Sequence, residues 1–168
     1  MPSESARVTT AAEAKFRIND PNSRPRAVKV IALDAASEHV LRRLARLQWA
    51  HASFLSASSF AAAAATRFSM EGWLKDVAGR TTDLMHEIAG ADLVVMVTTA
   101  GEDAHAASII GEACRLKRVM TTGLILGRAS QSDEVLSKTL AMLRPHALML
   151  VIASAEEYIE DMLTALRA

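Results

Sequence analysis

From Ala27 onward, short runs of β-branched and apolar residues alternate with stretches whose apolar positions recur every three or four residues. This is the pattern of successive βα units around a parallel sheet. Four runs predict strands: Val28 to Leu33, Leu93 to Thr98, Met120 to Leu126 and Leu148 to Ile152. A weaker run, Ala52 to Ser56, has only Phe54 and Leu55 as bulky members and predicts a fifth. The helices between them show as buried stripes: Val40, Leu41, Leu44 and Leu47; then Ile109, Ile110, Ala113 and Leu116; then Leu136, Leu140 and Leu143. A last helix carries Ile159, Met162, Leu163 and Leu166 on one face. Ser154 and Glu157, three residues apart, have the spacing of a capping box at its start.

The segment between the weak strand and Leu93 is harder to read. It predicts a linker followed by a helix from about Thr82 to Ala89, with Ala61 to Ala65 favouring helix but burying little, and Phe68 and Trp73 anchoring the crossing. The whole pattern predicts a three-layer, Rossmann-like α/β fold with a mostly parallel sheet of about five strands. Right-handed crossovers then direct any ligand to the carboxyl ends of the strands, at the loops after Leu33, Thr98 and Leu126.

Composition narrows this further. The chain has 168 residues, 51% of them hydrophobic and 23% charged, which suits one globular domain over 27–168. Residues 1–26 mix small, polar and charged types without period, with Pro21 and Pro25 near their end, and predict a mobile arm. Nineteen basic against nineteen acidic side chains leave no net field to draw in nucleic acid or an anionic membrane. The first 26 residues have no uninterrupted apolar stretch of signal-peptide length and no later apolar run reaches membrane-span length, and the default expectation is a cytoplasmic protein. The lone Cys114 reads as a packed small hydrophobe. Arg42, Arg43 and Arg46, and Arg115, Lys117 and Arg118, read as solvated faces or complements to helix carboxyl ends. A high aliphatic fraction with only 4% aromatics predicts a face for a partner subunit, hence a homo-oligomer or another protein partner.

Several segments resemble, in order, the amino-terminal GTPase domain of the bacterial tubulin family, the FtsZ proteins. AVKVIALDAASEHVLRRL is similar to that family's first strand, phosphate loop and helix. GADLVVMVTTAG is similar to the strand entering its signature loop, and AASIIGEACRLKRVMTTGLIL and LRPHALMLVIAS are similar to later elements. The resemblance implies a nucleotide-binding fold, but the loops that hold phosphate differ. Where the family has glycines, this chain has Asp34, Ala35, Ala36 and Ser37, and after Ala100 and Gly101 come Glu102, Asp103, Ala104 and His105. Carboxylates there repel phosphate oxygens, so GTP binding is disfavoured, and the acidic loop the family uses for hydrolysis has no counterpart in this sequence.

The candidate ligand-binding residues are therefore Asp34, Ser37, Thr98, Thr99, Gly101, Glu102, Asp103 and His105. The acids and the imidazole would converge at one sheet edge, where they could hold a divalent cation or work as an acid/base pair. The competing reading is helix capping, with Ser37 and the carboxylates serving helix starts. Thr98, Thr99, Ser130 and Ser132 add hydroxyls, and the TTAGED turn resembles the phosphosugar loop of sugar-isomerase domains. The five histidines show no metal-ligand spacing and no nucleophile elbow is present, so no metal, cofactor or catalytic residue is named. Two functions follow: a non-catalytic binding or assembly module derived from an FtsZ-like fold, or a small-molecule enzyme or sensor working at the carboxyl edge of the sheet.

Overall fold

A computed structural model describes residues 24–58, 74–76, 80–127 and 130–168. Most of the expected arm, the alanine run, Phe68 and Trp73 lie outside these residues. The strands are β1 (Val28–Ala32), β2 (Ala52–Ser56), β3 (Leu74–Asp76), β4 (Thr81–Thr82), β5 (Leu93–Thr99), β6 (Met120–Leu126) and β7 (Met149–Ala153). The helices are α1 (Ala35–Leu44), α2 (Leu84–Ala89), α3 (Ala106–Lys117), α4 (Asp133–Leu143) and α5 (Glu157–Ala165), with a 3-10 turn at Arg144–His146. The sheet runs β4-β3-β2-β1-β5-β6-β7. Five strands, β2, β1, β5, β6 and β7, are parallel, while β3 and β4 join antiparallel.

Alternation along the strands builds a core on each face. Val30, Val95 and Val97 face Val40, Leu41 and Leu44 of α1 and Ile159 and Leu163 of α5. Ile31, Val94, Met96 and Ile125 face Leu84 and Ile88 of α2, Ile110 and Ala113 of α3, and Leu136, Leu140 and Leu143 of α4. The expected three-layer α/β fold is thus present. From β1 the chain moves through α1 to β2 on one side, and from β5 through α3 to β6 on the other, so strand order reverses between β1 and β5.

Several local expectations are corrected. The segment read as linker contributes β3 and β4, so the sheet has seven strands among the described residues. Runs of three and two residues are too short to display a period, and only the fully buried Leu74 ties β3 to the core. The helix expected from Thr82 starts at Leu84, because Thr82 pairs in β4 and Asp83 caps the helix, accepting from the His86 N–H at 2.8 Å. Leu47 lies beyond the end of α1 and is 44% exposed; the Trp49 indole N–H instead takes the Leu44 carbonyl at 2.8 Å. Leu116 is also exposed, since the buried stripe of α3 centres on Ala106, Ala107, Ile110, Ala113 and Cys114. The capping box expected at Ser154 and Glu157 does not form; Glu156 occupies the cap position with helical backbone and no side-chain cap bond. Cys114 is packed as expected, and burial pushes its thiol up to about 12.

One contact in this fold demands glycine. A Cβ on Gly111 of α3 would lie 2.7 Å from His146 Cβ, 3.0 Å from its carbonyl oxygen and 3.2 Å from its Cα. Helix propensity alone favours Gly111→Ala by about 1 kcal/mol, but backbone in the way makes overpacking, typically about 1–3 kcal/mol, the larger effect. The variant is expected to lose about 1 kcal/mol net in urea denaturation, and a midpoint at or above that of the wild type would refute the close packing of α3 on the 3-10 turn.

Candidate functional site

Asp34 lies two residues beyond the end of β1, 6% exposed, at the point where strand order reverses. Its backbone is extended, so its side chain can fold back over the first turn of α1. Oδ1 accepts the Ser37 N–H at 2.8 Å, while the Ser37 hydroxyl sits 3.3 Å from the Asp34 N–H as the reciprocal half of a capping box. Oδ2 accepts the Thr98 hydroxyl and the Thr99 N–H, each at 2.9 Å. One carboxylate thereby fastens α1 to the end of β5. The structure brings Asp34, Ser37, Thr98 and Thr99 together, and the cap of α1 is Asp34, not Ser37 as expected.

The turn after β5 is equally committed. The Thr99 N–H goes to Asp34, the Ala100 N–H to the Leu126 carbonyl at 3.0 Å, the Gly101 N–H to the Thr139 hydroxyl at 2.9 Å and the Glu102 N–H to the Thr99 carbonyl at 3.0 Å. Gly101 adopts φ +91°, and Gln131 of the loop before α4 donates to the Ala100 carbonyl at 2.7 Å. Four successive N–H groups are therefore spent inside the protein, and the turn cannot act as the phosphate loop that its sequence resembles. Ser132 caps α4, accepting the Val135 N–H at 3.4 Å, and Ser130 is exposed.

Glu102, Asp103 and His105 are exposed and do not join Asp34, whose carboxylate bonds run to Ser37, Thr98 and Thr99. Asp103 accepts the His105 N–H at 2.9 Å and also pairs with its ring. Burial pushes the Asp103 carboxyl up, but these His105 donors outweigh it and hold it below the usual aspartate range. The expected convergence of three acids and an imidazole is corrected: the short turn carries Glu102 and Asp103 outward, and the helix start needs Asp34 elsewhere. Among the described residues no group of three or more His, Cys, Asp or Glu side chains is placed to hold a metal ion.

A concave surface does exist at this edge, on the α1 side of the sheet. A crevice of about 390 Å³ opens between α1, which contributes Ala36, His39, Val40 and Arg43, and the ends of three parallel strands, which contribute Thr99, Leu126, Gly127 and Ala153. Ser154, Ala155 and Glu156, leading into α5, close its far side. Arg43 and Glu156 meet in an ion pair between its two walls. Of the sequence candidates only Thr99 lines it. His39 and Arg43 were legible as a helical i, i+4 pair just after the first strand, but Arg43 reads as part of a solvated strip and Ser154 as a cap. A second cavity of about 360 Å³ lies at the opposite edge, among Arg115, Arg118, Met120, His146 and Leu148. Parallel α/β sheets bind ligands at their carboxyl ends, which favours the first.

No protein-family model matches the chain, and no curated protein matches it in sequence. Among solved structures it is similar to the apo-form of the flavoprotein from Lactobacillus acidophilus NCFM, determined by NMR, at 7% identity and a TM-score of 0.46, covering 83% of this chain and 99% of that one. The resemblance to the FtsZ proteins does not hold: no model of that family matches the chain. The strand and helix segments that suggested it are ones any parallel α/β sheet shares, and the first loop is a carboxylate cap where that family has a glycine cradle. The expectation of an assembly module derived from that fold goes with it. Among the described residues no helix is long and apolar enough to cross a membrane.

Proposed function

We propose that this protein binds a small molecule in the crevice between α1 and the β7–α5 connection. The observation that carries the reading is the crevice's position and mixed lining. It sits at the carboxyl ends of β5, β6 and β7, joins an apolar floor of Val40, Leu126 and Ala153 to the polar groups of His39, Arg43, Thr99 and Ser154, and has the size of a small-molecule site. The buried Asp34 network supports it from behind by fixing the start of α1 against β5.

A ligand specific to the folded state must raise its stability. A panel of short carboxylates, phosphate monoesters, nucleotides and flavin mononucleotide is expected to contain a compound that raises the melting temperature saturably. Ala36→Trp and Ala155→Trp, at exposed positions lining the crevice, should fill it and abolish the response while the protein still melts cooperatively. A response that survives both substitutions, or a panel without any response, would overturn the proposal.

A further inference from the structure

Among the described residues the crevice carries one arginine, and that arginine is already occupied by a carboxylate. On α1, Arg42 turns back to Glu38 four residues earlier, whereas Arg43 pairs with Glu156, 113 residues away on the far wall. The two side chains are 54% and 46% exposed. Glu156 makes no side-chain bond to the start of α5, so leaving Arg43 breaks no helix cap. An exposed pair of this kind biases an equilibrium by at most roughly fivefold. A guanidinium offers donors in a planar fork that suits carboxylate and phosphate oxygens alike. His39 lies one turn earlier on α1 and lines the same crevice.

Taking the crevice as the binding site, as above, we propose that its ligand carries an oxyanion, a carboxylate or phosphate-ester group, recognised by Arg43, and that Glu156 is a built-in competitor for that position. Binding exchanges one oxyanion on Arg43 for another. The released Glu156 side chain then moves toward solvent at the crevice mouth, and ligands without an anionic group gain nothing from the exchange.

The test uses three probes of similar shape: benzoate, phenyl phosphate and uncharged benzyl alcohol. Each is titrated into the wild type, Arg43→Gln and Glu156→Gln, following the backbone amide signals of Ala36, Gly127 and Ser154. Glu156→Gln should tighten at least one oxyanion probe by up to roughly fivefold, Arg43→Gln should weaken it about tenfold, and benzyl alcohol should respond to neither. Which of benzoate and phenyl phosphate responds more identifies the oxyanion class. If the probes perturb the crevice but neither substitution alters oxyanion binding, Arg43 recognition is wrong while the crevice stands. If Glu156→Gln weakens binding as Arg43→Gln does, Glu156 positions Arg43 and does not compete with the ligand. If no probe perturbs these amides, the binding site itself is wrong, and this proposal falls with it.

Discussion

Asp34→Ala is expected to destabilise the protein by about 3 kcal/mol. Loss of an N-cap side chain costs about 1 kcal/mol, here through the Ser37 N–H that Asp34 holds at 2.8 Å. The substitution also strands the Thr99 N–H and the Thr98 hydroxyl, and buried donors without partners cost about 1–3 kcal/mol each. Both meet the carboxylate at 2.9 Å in a site only 6% exposed, so water can compensate only in part. For a chain of this size the loss corresponds to roughly 10 °C in melting temperature.

Asp34→Asn separates the components of that loss. Its single acceptor oxygen can serve the Ser37 side or the Thr98–Thr99 side, while its NH₂ must face an N–H donor on the other. About half of the alanine effect should therefore persist. Equal melting temperatures for the wild type and Asp34→Ala would show that the carboxylate does not fasten α1 to β5, and would return Asp34 to the pool of ligand-binding groups. The outcome bears on function as well as stability, because a structural Asp34 commits the Ser37 N–H and places a carboxylate where a phosphate loop would present donors.

The legibility of this fold in its sequence followed the length and burial of each element. β6 could be delimited to the residue, since its seven residues are apolar or β-branched apart from Gly123. β2 was readable from Phe54 and Leu55 alone because it matches the length and spacing of a βα unit. β3 and β4 were not, because two or three residues carry no period and their pairing partners set the conformation. The site shows a similar division. The carboxyl edge of the sheet follows from strand order, and Asp34, Ser37, Thr98 and Thr99 do meet there. Their roles depended on which donors arrive from 64 and 65 residues away, something local spacing cannot encode. The crevice depended on the connection after β7, whose Ser154 and Glu156 look like ordinary helix-start residues until α1 is seen across from them.

A second long-range carboxylate leads to the other large expected effect. Lys29, within β1, donates to Glu87 of α2 at 2.8 Å and to the Ser53 hydroxyl at 3.2 Å, while Glu87 also accepts the Thr82 hydroxyl at 2.8 Å. The lysine and glutamate side chains are 17% and 19% exposed. Removing one member of a buried pair costs more than the pair contributes, because it leaves a desolvated charge. Lys29→Ala is thus expected to cost about 2–3 kcal/mol near neutral pH, somewhat below the fully buried range because some solvent reaches the pair. Lys29→Met combined with Glu87→Leu should recover most of that loss, since matched apolar replacement removes both desolvation penalties.

The pH dependence supplies an independent check on the same pair. Burial pushes the Glu87 carboxyl up, but the Lys29 and Thr82 hydrogen bonds outweigh it and the folded value lies below the usual one. A carboxyl depressed in the folded state stabilises it fully above its unfolded value, roughly 4.3, and ceases to do so as pH falls through the folded value. Glu38, held low by Ser56, Ser58 and Arg42 against its own burial, works in the same direction, so acid should weaken the wild type through both. In Lys29→Ala the Glu87 charge is a liability, and protonation relieves it. The stability gap between wild type and variant should therefore be widest near pH 7 and shrink toward pH 3, while a gap unchanged across that range would mean that Lys29 acts through packing of its stem and not through Glu87.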